Sequence, residues 1–431
     1  MSHVLKLRGG VALSQFRLDK LLAAAREAGL PDLTIAAEYW HFTESEAPLS
    51  EAQVAVLEKL LTYGEPPLAQ QIAQRAERMS KRLQPWLGTL NERQRARIEN
   101  WAEALGARWP LPENAGFITF GSCFAQHMSR ALTFREMNWI DAEPAPAGSS
   151  WAIRNSYNYG VFSARTGNIY TAAQLHTWVR LAADEMAVEA IELWEDRSGR
   201  IYDMLRPQIE PKGFSSTSEA RAALRSTASA LRRAIARADV LVFTLGLTEG
   251  WSHAQTGMTY AICPGTGAGQ FDADQHQFHN YTYPEILSDM EQALALLRAL
   301  NPDLKVILTV SPVPLVATAS GDHVLTATTY SKAVLRAVAG DLAARHADVD
   351  YFPAYELIAS PPARAMFFEP DLRGIAAEGV QLVMKHFFAG LDLSGPARAQ
   401  QESADGTADD ARTAAEDLVC EELMLERFND A

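Results

Sequence analysis

The chain predicts an α/β fold, a three-layer sandwich built on a mostly parallel sheet, and three observations predict it. Short apolar runs recur at Gly116–Phe120, Val240–Leu245, Lys305–Val310 and Val349–Phe352, the length and texture of strands buried on both faces. Helical patterns stand near 124–134, 172–186, 215–237, 283–300 and 328–346. Each connection between runs exceeds the dozen residues that a parallel crossover needs.

Ahead of that domain, which spans 114–392, lie two segments of different texture. Residues 1–66 read as a small α+β segment: a strand at Val4–Leu7, a helix capped by Ser14 with Leu18, Leu21 and Leu22 on one face, a β-rich stretch at Leu33–Trp40, and a helix capped by Ser50 with Leu57, Leu60 and Leu61 inward. Residues 67–110 read as a helical linker. Pro85 breaks it, because proline lacks a donor and clashes with the preceding turn, and Asn91 followed by Gln94 fits a new helix start. After about 395 the chain is polar and acidic, with 10 acids against 3 bases over 396–431, a composition that favours a flexible tail. Its last residues, DLVCEELMLERF, fit one short helix. The abrupt changes near 66 and 110 give the whole a mosaic texture.

The bulk numbers set limits on function. A length of 431 residues implies two or three folding units. With 39 basic and 53 acidic residues the formal charge is −14, which repels nucleic acid and anionic membrane surfaces and leaves neither as an expected partner. No run approaches the ~18 apolar residues that span a bilayer. The opening MSHVLKLRGG has no apolar signal core, so a cytoplasmic location is expected. Three cysteines, Cys123, Cys263 and Cys420, are too few and scattered for a disulfide framework, and no CxxC pair suggests zinc. His276 and His279 with Asp272 and Asp274 lack a diagnostic spacing, and GTGAG (265–269) neither follows a strand cleanly nor opens a helix. No metal or other cofactor is expected.

The chemistry concentrates in FITFGSCFAQHMSRAL, a strand, a glycine-led turn and a helix. Such a turn lies at the carboxyl edge of an open α/β sheet, where sites occur. It places Ser122 and Cys123 at a helix N-terminus, whose amides and dipole favour an anion, thiolate or alkoxide. GSCFA (Gly121–Ala125) is followed in order by SYNYGVFSARTGNIYT (156–171), VFTLGLTEGW (242–251), VILTVSPVPL (306–315), TTYSKAVLR (328–336) and YFPAYEL (351–357). Over about 117–390 this series resembles the bacterial GSCFA family, grouped with the SGNH hydrolases. LRGGVALSQFRLDKLL, IAAEYWHF, APLS and LLTYGEP, within residues 7–66, resemble the start of large phosphoribosylformylglycinamidine synthase. W-L-G-x-L-x-x-x-Q-x-x-x-I-x-x-W, from Trp86, is similar to a helical repeat of bacterial lipoproteins, without their lipobox.

The SGNH resemblance implies an ester hydrolase or O-acyltransferase acting on an acylated carbohydrate or similar small ester. SGNH enzymes carry G-D-S where this chain has Gly121-Ser122-Cys123; position favours Cys123 as nucleophile and chemistry favours Ser122. Asn158 and Gly160 take the place of the first oxyanion loop, and the stretch from Gly246 to Glu249 that of the second; it has no asparagine, which leaves donation to backbone amides or the Thr248 hydroxyl, with Glu249 as a polar wall. The terminal D-x-x-H is broken, because Asp371 is followed by Gly374. His323, paired with Asp371, is the substitute base, with His127 as the other choice and His386 read as core. Two further functions stay open: a binding or assembly protein whose fold has lost catalysis, and an accessory of purine biosynthesis.

Overall fold

In the computed structural model, residues 108–391 are described except 364, 366, 370 and 371, together with three short strands nearer the N-terminus. The chain divides into two compact units, Met1–Ile98 and Glu99–Ala431. In the first, β1 (Val4–Leu5), β2 (Leu33–Ala36) and β3 (Tyr39–Phe42) form an antiparallel sheet in the order β1-β3-β2. The stretch expected as one β-rich segment is therefore two paired strands, with Leu33 opposite Phe42. The helices expected from Ser14 and Ser50, the helical linker up to 107, Asp371 and the acidic tail lie outside the described residues.

The second unit runs β4 (Phe117–Gly121), α1 (Ala125–Phe134), α2 (Trp151–Ser156), α3 (Ala172–Ala182), β5 (Leu193–Glu195), β6 (Ile201–Asp203), α4 (Thr217–Arg237) and β7 (Val240–Leu245). It continues through β8 (Glu249–His253), β9 (Thr259–Tyr260), β10 (His276–Asn280), α5 (Tyr283–Leu300), β11 (Lys305–Val310), α6 (Val324–Arg345), β12 (Val349–Phe352), α7 (Ala354–Ala359) and α8 (Ala377–Gly390). β4, β7, β11 and β12 make a four-stranded sheet in that order, every pair parallel. A rudimentary fifth strand lies outside β4: Phe117 N donates to Asn138 O at 2.8 Å, and Ile140 N to Phe117 O at 2.9 Å. Pro144 and Pro146 follow closely, and proline cannot donate to a ladder. Counting that strand second in the chain, the order is 2-1-3-4-5, the doubly wound arrangement whose switch point falls between β4 and β7.

Alternation along the strands builds the three layers. Ile118, Phe120, Leu241, Phe243 and Leu308 pack in one core with Trp178 of α3, Leu231 of α4, Leu294 of α5 and Leu335 of α6. Phe117, Val240, Val242 and Ile307 pack in the other with Met128 of α1, Leu357 of α7 and Phe387 of α8. The period of two that sends neighbouring side chains to opposite faces thus makes every strand bury both.

Local capping sets the helix bounds. Thr171 with Gln174 and Thr282 with Glu285 form capping boxes at α3 and α5, and Ser216 Oγ accepts from Glu219 N at α4. α6 starts earlier than the pattern at 328 suggested, because His323 caps it: its Nδ1 accepts from Leu325 N at 3.2 Å. Two antiparallel excursions interrupt the α/β alternation, the β5–β6 hairpin and the sheet β10-β8-β9.

Candidate active site

β4 ends in Gly121 at φ 144°, a conformation L-residues rarely adopt, and a Cβ there would lie 2.6 Å from Thr244 O and 2.7 Å from Thr244 Cβ. Glycine therefore lets the carboxyl ends of β4 and β7 approach at the switch point. The chain then turns directly into α1: Ser122 O accepts from Ala125 N at 2.8 Å and Cys123 O from Gln126 N at 3.1 Å.

Ser122 is 3% exposed, and its Oγ is buried without a hydrogen-bond partner among the described residues. Gly246, just past β7, lies against it, so that a Cβ on Gly246 would stand 2.9 Å from Ser122 Cβ and 3.4 Å from Oγ. Cys123 is buried on the same turn. Below the turn, Ile169 N donates to Gly121 O at 2.8 Å, and the buried Gln126 donates from Nε2 to Asn168 Oδ1 at 3.1 Å.

The loop after β7 is held at every amide. Gly246 N and Leu247 N donate to Tyr170 O at 3.1 and 3.0 Å, and Thr248 N donates to Ser331 Oγ at 3.0 Å. The Thr248 hydroxyl donates to Asn280 Oδ1 at 2.7 Å. Neither donor of Thr248 is aimed at Ser122, because both are engaged within the fold. Glu249 accepts from Thr318 Oγ1 at 2.6 Å and from Ala319 N at 3.1 Å, anchoring the segment that leads into α6. From α6 itself, the buried Lys332 donates from Nζ to Gly246 O at 2.7 Å. The sequence does not single out Asn168, Ser331 or Lys332, and it marks Gly246 only as the start of the second oxyanion stretch.

The other sequence-derived candidates stand as follows. Asn158, at φ 54°, donates from Nδ2 to Gln208 O at 3.4 Å, and Gly160, at φ 73°, is exposed with open space where a Cβ would be. His323 caps α6, its Nδ1 accepting from Leu325 N at 3.2 Å. Gly374 O accepts from Glu369 N at 2.7 Å. His386 lies on α8, its pKa lowered by burial and by Lys385. His276 Nδ1 accepts from Asp272 N at 3.0 Å and its ring packs among Trp194, Tyr260 and Phe271.

His127 packs against Phe124, ring centroids 5.5 Å apart, and burial, with a lesser push from Arg130, lowers its pKa from 6.5 to about 4. The unfolded chain therefore takes up this proton near pH 6.5 and the native one only near 4. The stability linked to it is fully present above pH 6.5 and is lost as pH falls toward 4, by up to about 3 kcal/mol. His127→Gln should flatten that part of the melting temperature's pH profile; profiles of equal slope between pH 6.5 and 4 would show that the imidazole is not held neutral.

Residues 116–387 match the model of the GSCFA family. The chain belongs to that family. Ser122 and Cys123 lie in the segment that names the GSCFA family, and the match covers the whole four-stranded sheet and its flanking helices up to residue 387 in α8. Residues 45–111 match a second model, described as a family of unknown function, DUF6279.

Proposed function

We propose that the GSCFA domain is an SGNH-type ester hydrolase or O-acyltransferase, with Ser122 as its nucleophile and an acylated carbohydrate or similar small ester as its substrate. One observation carries this most: a buried serine hydroxyl without a partner, at the switch point of a doubly wound sheet. Most interior hydroxyls are satisfied; Ser122 Oγ is open, as are Thr244 Oγ1 and Thr309 Oγ1 within the strands, and of these three it alone stands on the turn that leads into α1. The N-terminal end of α1 favours the negative charge that develops as Oγ attacks.

In the reaction Oγ bonds to the acyl carbon, the proton of Ser122 passes to the departing alcohol oxygen, and the ester C–O bond breaks. Water or a second alcohol then takes the acyl group from Oγ and returns a proton to it. Solvent does not reach Oγ in this arrangement, so an ester enters only when the residues over Ser122 move aside, a gating step common to buried sites. A second reading, a binding protein on the same fold, is favoured by Gly374 in the histidine position and by the absence, among the described residues, of any hydrogen bond to Oγ.

A fluorophosphonate probe separates them. The expected result is a single adduct on the peptide containing Ser122, absent from Ser122→Ala. An adduct on Cys123 would reassign the nucleophile. Silence toward the probe and toward aryl acetates alike would favour the binding protein.

A further inference from the structure

We propose that Lys332 is a positioning residue for Ser122, acting through the carbonyl of Gly246; the inference rests on the serine-nucleophile reading above. Lys332 is 1% exposed, on the inward face of α6. Taking an ammonium out of water is costly, and a hydrophobic residue of similar volume often serves a scaffold as well or better. The identity of the residue is thus matched to what its tip holds.

Among the contacts of Nζ is Gly246 O, to which it donates at 2.7 Å. Gly246 is the wall of the nucleophile: there is no room for a methyl group between it and Ser122 Cβ. Its peptide groups are clamped on two sides, the N–H by Tyr170 O and the carbonyl by Lys332. The neighbouring Ser331 accepts Thr248 N, and the Thr318–Ala319 segment before α6 binds Glu249. One helix and its lead-in therefore fix the whole 246–249 corner against the turn carrying Ser122. A charge-assisted bond is stronger than a neutral one, and a reacting geometry tolerates little displacement of its walls. Lys332 sets the position of that corner.

A double-mutant cycle tests this, read as the rate of fluorophosphonate labelling at Ser122 and as kcat and KM for an aryl acetate. Lys332→Met removes the donor at similar volume, and it should slow labelling by about ten- to a hundredfold, with kcat falling more than KM rises. Gly246→Ala disturbs the same corner from the other side. The double variant should be no slower than the worse single one, because both act on one contact. Multiplying effects would overturn the route through Gly246, as would wild-type labelling in folded Lys332→Met. If that variant gives no cooperative melt, Lys332→Gln replaces it in the cycle and the same two outcomes overturn the proposal. Failure of the wild type to label would remove the serine reading itself, and this inference with it. A labelled wild type with an indifferent Lys332 variant removes the inference alone.

Discussion

Ser122→Ala is expected to lower aryl acetate turnover by about three powers of ten or more while leaving the melting temperature unchanged or slightly raised. Loss of a nucleophile removes the covalent route and leaves only the residual effect of binding and local dipoles. Stability responds in the opposite sense. The hydroxyl of Ser122 is buried without a partner among the described residues, so its removal breaks no hydrogen bond to them and relieves a desolvation penalty on the order of 1 kcal/mol. Ser129 provides the contrast: it is equally buried, but its Oγ donates to Val161 O at 2.7 Å. Ser129→Ala should therefore cost about 1–2 kcal/mol and leave turnover per folded molecule intact. Turnover in Ser122→Ala equal to wild type would pass the nucleophile's role to Cys123 or end the esterase reading, and Cys123→Ala decides between those.

The sheet was legible because its strands are buried on both faces. Val240–Leu245, Lys305–Val310 and Val349–Phe352 stand in the structure with the bounds their apolar runs suggested. The fifth strand was not legible: it amounts to a single bridge at Trp139, too short for any periodicity, and two prolines follow it. The capping role of His323 was not legible either. A histidine before a helix reads as a loop base, yet its ring nitrogen satisfies a backbone N–H and lengthens α6 at its start. Lys332 carried a signal that went unused. With Leu335 and Ala339 it occupies positions i, i+3 and i+7 of the buried stripe of α6, and a lysine in an apolar stripe calls for a partner in the interior. Gly246 was legible only as the start of the second oxyanion stretch; the space it leaves for a residue over a hundred positions earlier was not.

Gly121→Ala is expected to be among the most destabilising single substitutions in the domain, at about 3–6 kcal/mol, from backbone strain and overpacking together. At φ 144° the backbone occupies a region open essentially to glycine, and the added Cβ would meet Thr244 at 2.6–2.8 Å on three atoms, two of them backbone. Backbone cannot rotate away as a flexible side chain can, so relief requires β4 and β7 to separate at their carboxyl ends. Those two strands carry the packing of both cores. A loss of that size is a large share of the roughly 5–15 kcal/mol available to a folded domain. Gly160→Ala is the matched control. Gly160 also has positive φ, at 73°, but a Cβ there meets nothing within 4 Å, so only the left-handed backbone penalty of about 1–2 kcal/mol remains. Denaturant unfolding of the two variants should differ severalfold in lost stability. Similar losses in both would mean that β4 and β7 do not approach as closely at Gly121 as the structure places them, and that the turn presenting Ser122 is built in another way.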